Sequence, residues 1–239
     1  MDHQLRIKEN DHFPAQATRM SHLSNVNRLI KDKLTADQLD MFRRRTIFGR
    51  FVDLEMMFCS GVVHHFLSRE VAGSSDNNMS FLIGGNVLTF SKDQFMLITG
   101  LWRLPGKMVQ KKIGKNMLRR KYFNDEASML LEEFVEVYKQ TDFEDDEDAV
   151  KLTLILYTEL VMMGKSKSKS KVDIDLYNQV DDLDYFNHLD WGSDVWSRTV
   201  NGLKRAMNGK VALYKNKVRT NKKYLVKYSL PGFPLAFQV

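Results

Sequence analysis

The sequence predicts a mainly α fold: a single multi-helix domain of about six to eight helices carrying one small β-hairpin. Three observations lead there. Apolar residues recur at helical spacing in several separate stretches, Leu152 to Met163 is apolar nearly all round, and β-prone runs flanking glycines form one hairpin signal, between Phe81 and Phe90. There is no internal repeat.

The elements follow in order. Residues 1–34 are mixed and polar, with Pro14 and few apolar residues in register, so they read as a mobile lead-in to a helical domain over 35–239. Thr35 and Gln38 form a capping box that opens a short helix, with Leu39 and Phe42 inward and Arg43, Arg44 and Arg45 at the end where cations suit the helix dipole. Ser60 is expected to cap a helix over Gly61 to Val71, whose stripe is Val62, Val63, Phe66, Leu67 and Val71. Then comes the best-formed local unit of the chain. Phe81 to Ile83 and Val87 to Phe90 are strands, and Gly84, Gly85 and Asn86 tolerate the positive φ of the turn. Ser91 with Gln94 caps a short helix, Gly100 suits its left-handed end, and Pro105 forbids continuation.

After Pro105, Lys107 to Lys121 carries seven cations and no acid, interleaved with Met108, Val109, Ile113, Met117 and Leu118. A helix is expected over Asn124 to Gln140. The acids of Asp142 to Asp148 belong at the N-terminus of the apolar helix Ala149 to Met163, facing the basic segment. The run KSKSKSK reads as a disordered charged linker. Beyond it, Asp173, Asp175, Asp181, Asp182 and Asp184 form a polar face alternating with Ile174, Leu176, Val180, Leu183 and Phe186. Ser193 caps the last long helix, striped by Trp196, Thr199, Val200, Leu203 and Met207 and stopped by Gly209.

Several motifs together carry a resemblance: TIFGRFVDL at Thr46 to Leu54, GVVHHFLSREV at Gly61 to Val71, FLIGGNVLTFSKDQFMLITGL from Phe81, Trp191-Gly192, and the terminal LPGFPLAFQV. In this order they resemble a plant domain of unknown function, the one numbered 1985, over roughly residues 45–239. The resemblance implies a transposon-derived context, often N-terminal to a SUMO-protease-like cysteine peptidase domain, and it implies no activity. That peptidase class would show Asp-Cys-Gly; this chain has Phe-Cys-Ser around Cys59. The apolar terminus resembles the middle of a longer family segment, so a truncation at the C-terminus is expected.

Bulk properties bound the rest. The chain has 239 residues, 43% apolar and 28% charged, with a net charge of +6, values of an ordinary globular protein. No stretch approaches the about 20 apolar residues of a membrane span. The N-terminus lacks an apolar signal core, and the expected location is intracellular, including the nucleus. Cys59 is the single cysteine, so no internal disulfide forms. His64 and His65 are helix neighbours about 100° apart and do not chelate one metal together. A calcium loop opened by Asp142 would need Gly and Glu where Glu147 and Thr153 stand. A P-loop ending at Gly164-Lys165-Ser166 would need Gly in place of Glu159. No cofactor, metal or catalytic residue is expected, and the chain is read as no enzyme.

Two functional readings remain. One is a non-catalytic protein-interaction domain that contacts an unknown protein partner through Phe233, Leu235 and Phe237. The alternative is a nucleic-acid-associated module using the basic segments 107–121 and 198–227. From Val195 onward there are ten cations and no acid, with Tyr214, Tyr224 and Tyr228 interleaved. Its contacts would be Lys111, Lys112, Arg119, Arg120 and Lys121 in the first segment, and Lys215, Lys217, Arg219, Lys222 and Lys223 in the second.

Overall fold

A computed structural model describes residues 4–73, 75–102 and 116–239. In chain order the regular elements are β1 (Ala15–Arg19), α1 (Leu23–Lys33), α2 (Ala36–Arg45), α3 (Ser60–Ser68), β2 (Asn78–Ile83), β3 (Asn86–Ser91), α4 (Lys92–Thr99), α5 (Met117–Tyr122), α6 (Leu131–Gln140), α7 (Asp146–Tyr157), α8 (Ile174–Val180), α9 (Leu183–Asn187), α10 (Trp191–Ala206), α11 (Lys210–Val218) and β4 (Val226–Leu230). The protein is mainly helical with few strands, as the periodicity predicts. It packs as two compact units, the first from residues 1–20, 57–102 and 192–239, the second from 21–56 and 103–191. One domain over 35–239 was the expectation. Each unit is assembled from separated stretches, a division that linker composition does not signal.

In the second unit α7 is buried nearly all round, at every position from Ala149 through Tyr157 except Lys151. Fully burying one such Leu or Ile side chain is worth about 1.5–3 kcal/mol, so this helix is the natural axis for α1, α2 and α8 to pack on. Asp145 caps it by accepting from the Glu147 and Asp148 amides, which places the acidic run at its N-terminus as its charge pattern predicts. The helix continues as a π-turn over Thr158–Met162. There Glu159, fully buried, accepts from the Asp173 amide at 2.7 Å and pairs with Lys165 at 2.5 Å. Burial pushes the Glu159 carboxyl above its ordinary value, against the pull of Lys165.

The lysine-serine run is therefore no linker. Lys165 neutralises a buried acid, and the carbonyls of Lys167 and Ser170 accept from the Glu132 and Leu131 amides, which α6 itself leaves unpaired. Asp173 and Asp182 likewise act as caps of α8 and α9.

The expected lead-in is also structured. Leu23, Val26 and Ile30 form the buried stripe of α1, a spacing legible in the sequence. β1 pairs in parallel with β4, Ala15 opposite Val226 through Arg19 opposite Leu230.

In the first unit β2 and β3 form the predicted hairpin, Asn78↔Ser91 through Ile83↔Asn86. Its two-residue turn has Gly84 at φ 57° and Gly85 at φ 81°. The Ser91/Gln94 capping box opens α4. Trp196 of α10 packs against Phe90 at 5.5 Å and Phe95 at 5.6 Å between ring centroids, and its indole donates to the Asp76 carbonyl. The helix predicted to run to Val71 stops at Ser68. Residues 69–71 instead line the outer edge of β2, with Val71 N donating to Ser80 O and Leu82 N to Arg69 O. Ser60 begins the helix instead of capping it, and its hydroxyl accepts from the Ala17 amide of β1.

Candidate interaction groove and basic surface

The terminal LPGFPLAFQV builds fold first. Gly232, at φ 76°, lies against Thr199, where a Cβ would come within 2.4 Å of its hydroxyl. The Phe233 amide donates to that same oxygen at 2.8 Å. Phe233 (2% exposed) and Leu235 (0%) are core side chains. Their expected role as partner contacts is corrected on this point, because a side chain inside the packed unit presents no surface. Gln238 ties the end of the chain down, accepting from the Cys59 amide at 2.8 Å and donating to the Met57 carbonyl at 2.6 Å.

Phe237 is different. It is half-buried at the centre of an aromatic cluster, 5.9 Å from Phe66, 5.4 Å from Phe81 and 5.1 Å from Phe90. Above it opens a groove of about 360 Å³, walled by Val62 and Phe66 of α3, Leu88 of β3, and Leu97 and Ile98 of α4. None of the side chains lining it is a charged type. Leu97 is 73% exposed and Leu88 46%. The α3 stripe explains how periodicity misled here: Val63 and Leu67 are buried, but Val62 stands exposed on the groove wall. Leu97 and Ile98 of the short α4 are likewise exposed on the groove wall, which the helix's own caps do not signal.

Basic surface elements are distributed unevenly. Lys111 and Lys112, with Met108, Val109 and Ile113, lie outside the described residues. Arg119 is buried and forms an ion pair with Asp125 at 2.6 Å; Arg120 lies 3.9 Å from the same carboxylate. Lys121 bridges Asp148 at 2.8 Å and Glu144 at 3.1 Å, the expected pairing of basic and acidic runs. In the first unit, Lys215 pairs with Asp11 at 2.5 Å. Lys217, Arg219, Lys222 and Lys223 are exposed and form no ion pair among the described residues.

The interleaved tyrosines are largely used by the fold. Tyr214 stacks on Phe13 at 5.7 Å, and Tyr228 is buried with its hydroxyl 3.1 Å from His64 Nδ1. His64 Nε2 lies 2.7 Å from the Phe13 carbonyl. A carbonyl only accepts, so Nε2 carries the proton and Nδ1 accepts from Tyr228. Burial lowers the His64 pKa and raises that of Tyr228, which agrees with this neutral pair. Both ring nitrogens are thus engaged, and neither is left to activate Cys59, which is exposed.

Among the described residues no group of three metal-ligating side chains converges, and no helix is long and apolar enough to cross a membrane. The family model of the Domain of unknown function (DUF1985) matches residues 67–202, more than half of the chain. No curated protein and no solved structure matches it.

Proposed function

The chain belongs to the DUF1985 family, and from that premise we propose that it is a non-catalytic protein-interaction domain of a transposon-derived plant protein, acting inside the cell and in the nucleus. The observation that carries this reading is the uncharged groove over Phe237, whose exposed walls are Leu88, Leu97 and Ile98. Apolar side chains held open to water in one contiguous patch are the usual mark of an interaction surface. The engagement of both His64 nitrogens supports the non-catalytic part.

The test uses exposed positions, because deleting 230–239 would remove part of β4 and the buried Phe233 and Leu235. Immobilised wild-type chain and Leu97→Asp are compared for proteins retained from a plant nuclear extract. Retention that disappears with Leu97→Asp, with an unchanged circular dichroism spectrum, supports the groove. Identical retention by both rejects it.

A second reading rests on Lys217, Arg219, Lys222 and Lys223, exposed and without an ion-pair partner among the described residues: a phosphate-contacting surface for nucleic acid. Titration with fluorescent single-stranded and duplex DNA and RNA at several salt concentrations tests it. Steep loss of affinity with salt supports it, and absence of binding at low salt removes it.

A further inference from the structure

We infer that the open edge of β3 is a seam for a second copy of this chain, added antiparallel and centred on Leu88. The inference rests on the groove face being an interaction surface and names its occupant. It begins with hydrogen-bond alternation. The turn at Gly84-Gly85 makes Ile83 and Asn86 the innermost bonded pair, so Phe81↔Leu88 and Met79↔Phe90 are the next bonded pairs of the ladder. At the residues between, N–H and C=O point away from the hairpin. On β2 these outward groups are used, at Ser80 and Leu82, by residues 69–71. On β3 they belong to Val87 and Thr89, which have no backbone partner on that side among the described residues.

Edge strands are usually guarded by lysine, proline or a bulge. Asn86–Ser91 contains neither residue, and its register with β2 runs without a bulge. Asn86 through Thr89 are exposed. Charge permits a copy of the chain here: at a net charge of +6 two copies repel, but neither this strand nor the groove beside it has a charged side chain, so apposing two of them brings no like-charged side chains together.

The geometry is self-complementary. With Leu88 on the twofold axis, Val87 faces Thr89 of the second copy and exchanges both backbone bonds with it, and Thr89 does the same with Val87 of the second copy. The two Leu88 residues form the close, non-bonded pair, with Cα atoms about 4.5 Å apart. Each Leu88 side chain then covers the mouth of the other copy's groove. Such an isologous contact closes at two chains.

The test is analytical ultracentrifugation of the full chain over a micromolar to submillimolar series. Wild type is expected to shift from monomer to dimer. Leu88→Lys alone and Leu88→Glu alone should each weaken dimerisation at least tenfold, because like charges meet on the axis, and an equal mixture of the two should restore the dimer. Thr89→Pro, which removes an outward N–H that the hairpin does not use, should also give monomer and serves if the Leu88 variants fail to fold. A wild type monomeric throughout, variants that stay dimeric, or a mixture that stays monomeric overturns the seam. Monomeric wild type that still retains proteins in a Leu97-dependent way overturns the seam alone; retention independent of Leu97 overturns the groove reading itself.

Discussion

Two groups of cations in this chain look alike on paper and behave differently. Arg119, Arg120 and Lys121 end α5 beside Asp125, Glu144 and Asp148, and their charge is spent within the second unit. Lys217, Arg219, Lys222 and Lys223 sit at the end of α11 and in the turn after it, in a part of the chain with no acid from Val195 onward. There distant carboxylates reach other cations, Asp11 reaching Lys215 and Asp76 reaching Lys204, and none reaches these four among the described residues. Cation content therefore does not define a cationic surface; the acids that folding brings within reach decide which positive charges remain for a partner.

The comparison can be stressed from its strongest case downward. Lys165 lies in neither group but follows the same rule most sharply, because its carboxylate partner Glu159 is fully buried. Lys165→Met leaves that charge unpaired and should cost about 3 kcal/mol in urea unfolding at neutral pH; a loss within scatter would break the rule. Reversing Lys217, Arg219, Lys222 and Lys223 to glutamate should weaken any nucleic-acid binding on the order of a hundredfold at low salt and leave Tm unchanged. The reciprocal expectation is that Arg119→Ala costs about 2 kcal/mol of stability, through lost packing and pairing, without changing nucleic-acid affinity.

The smallest effect concerns the tyrosine beside the second group. His64 is held half-buried and neutral against Tyr228, with His12, His65 and Arg69 also opposing its protonation. The unfolded chain takes up a proton as pH falls through about 6.5, and the folded one resists it. Stability is then full above that pH and declines as pH drops toward the lowered folded value. A shallow fall in Tm over this window, flattened in His64→Gln, would show that Tyr228 is held by the fold. An equal slope in the variant would assign it to other groups.

Local devices were legible in the sequence. The Thr35/Gln38 and Ser91/Gln94 capping boxes, the Gly84-Gly85 turn, the left-handed Gly100 and the all-round apolar helix before Gly164 stand where the residues indicated. The α1 stripe was equally readable and was hidden by its polar surroundings. What was not legible depends on distant partners. Ala15–Arg19 has little β-prone character and becomes a strand because β4 pairs with it; Thr18 meets the Tyr228 carbonyl across 210 positions.

The sequence by itself determined a mainly helical protein with one capped hairpin unit, because turns, caps and periodic stripes are interactions between residues only a few positions apart. Tertiary structure alone decided that Phe233 and Leu235 are core while Leu88 and Leu97 face water, that Arg119, Arg120 and Lys121 meet carboxylates while Lys217, Arg219, Lys222 and Lys223 meet none among the described residues, and that the outer edge of β3 is unpaired among those residues. Burial, ion pairing and edge coverage are each set by what arrives from elsewhere in the chain, and residue type records only the capacity to respond.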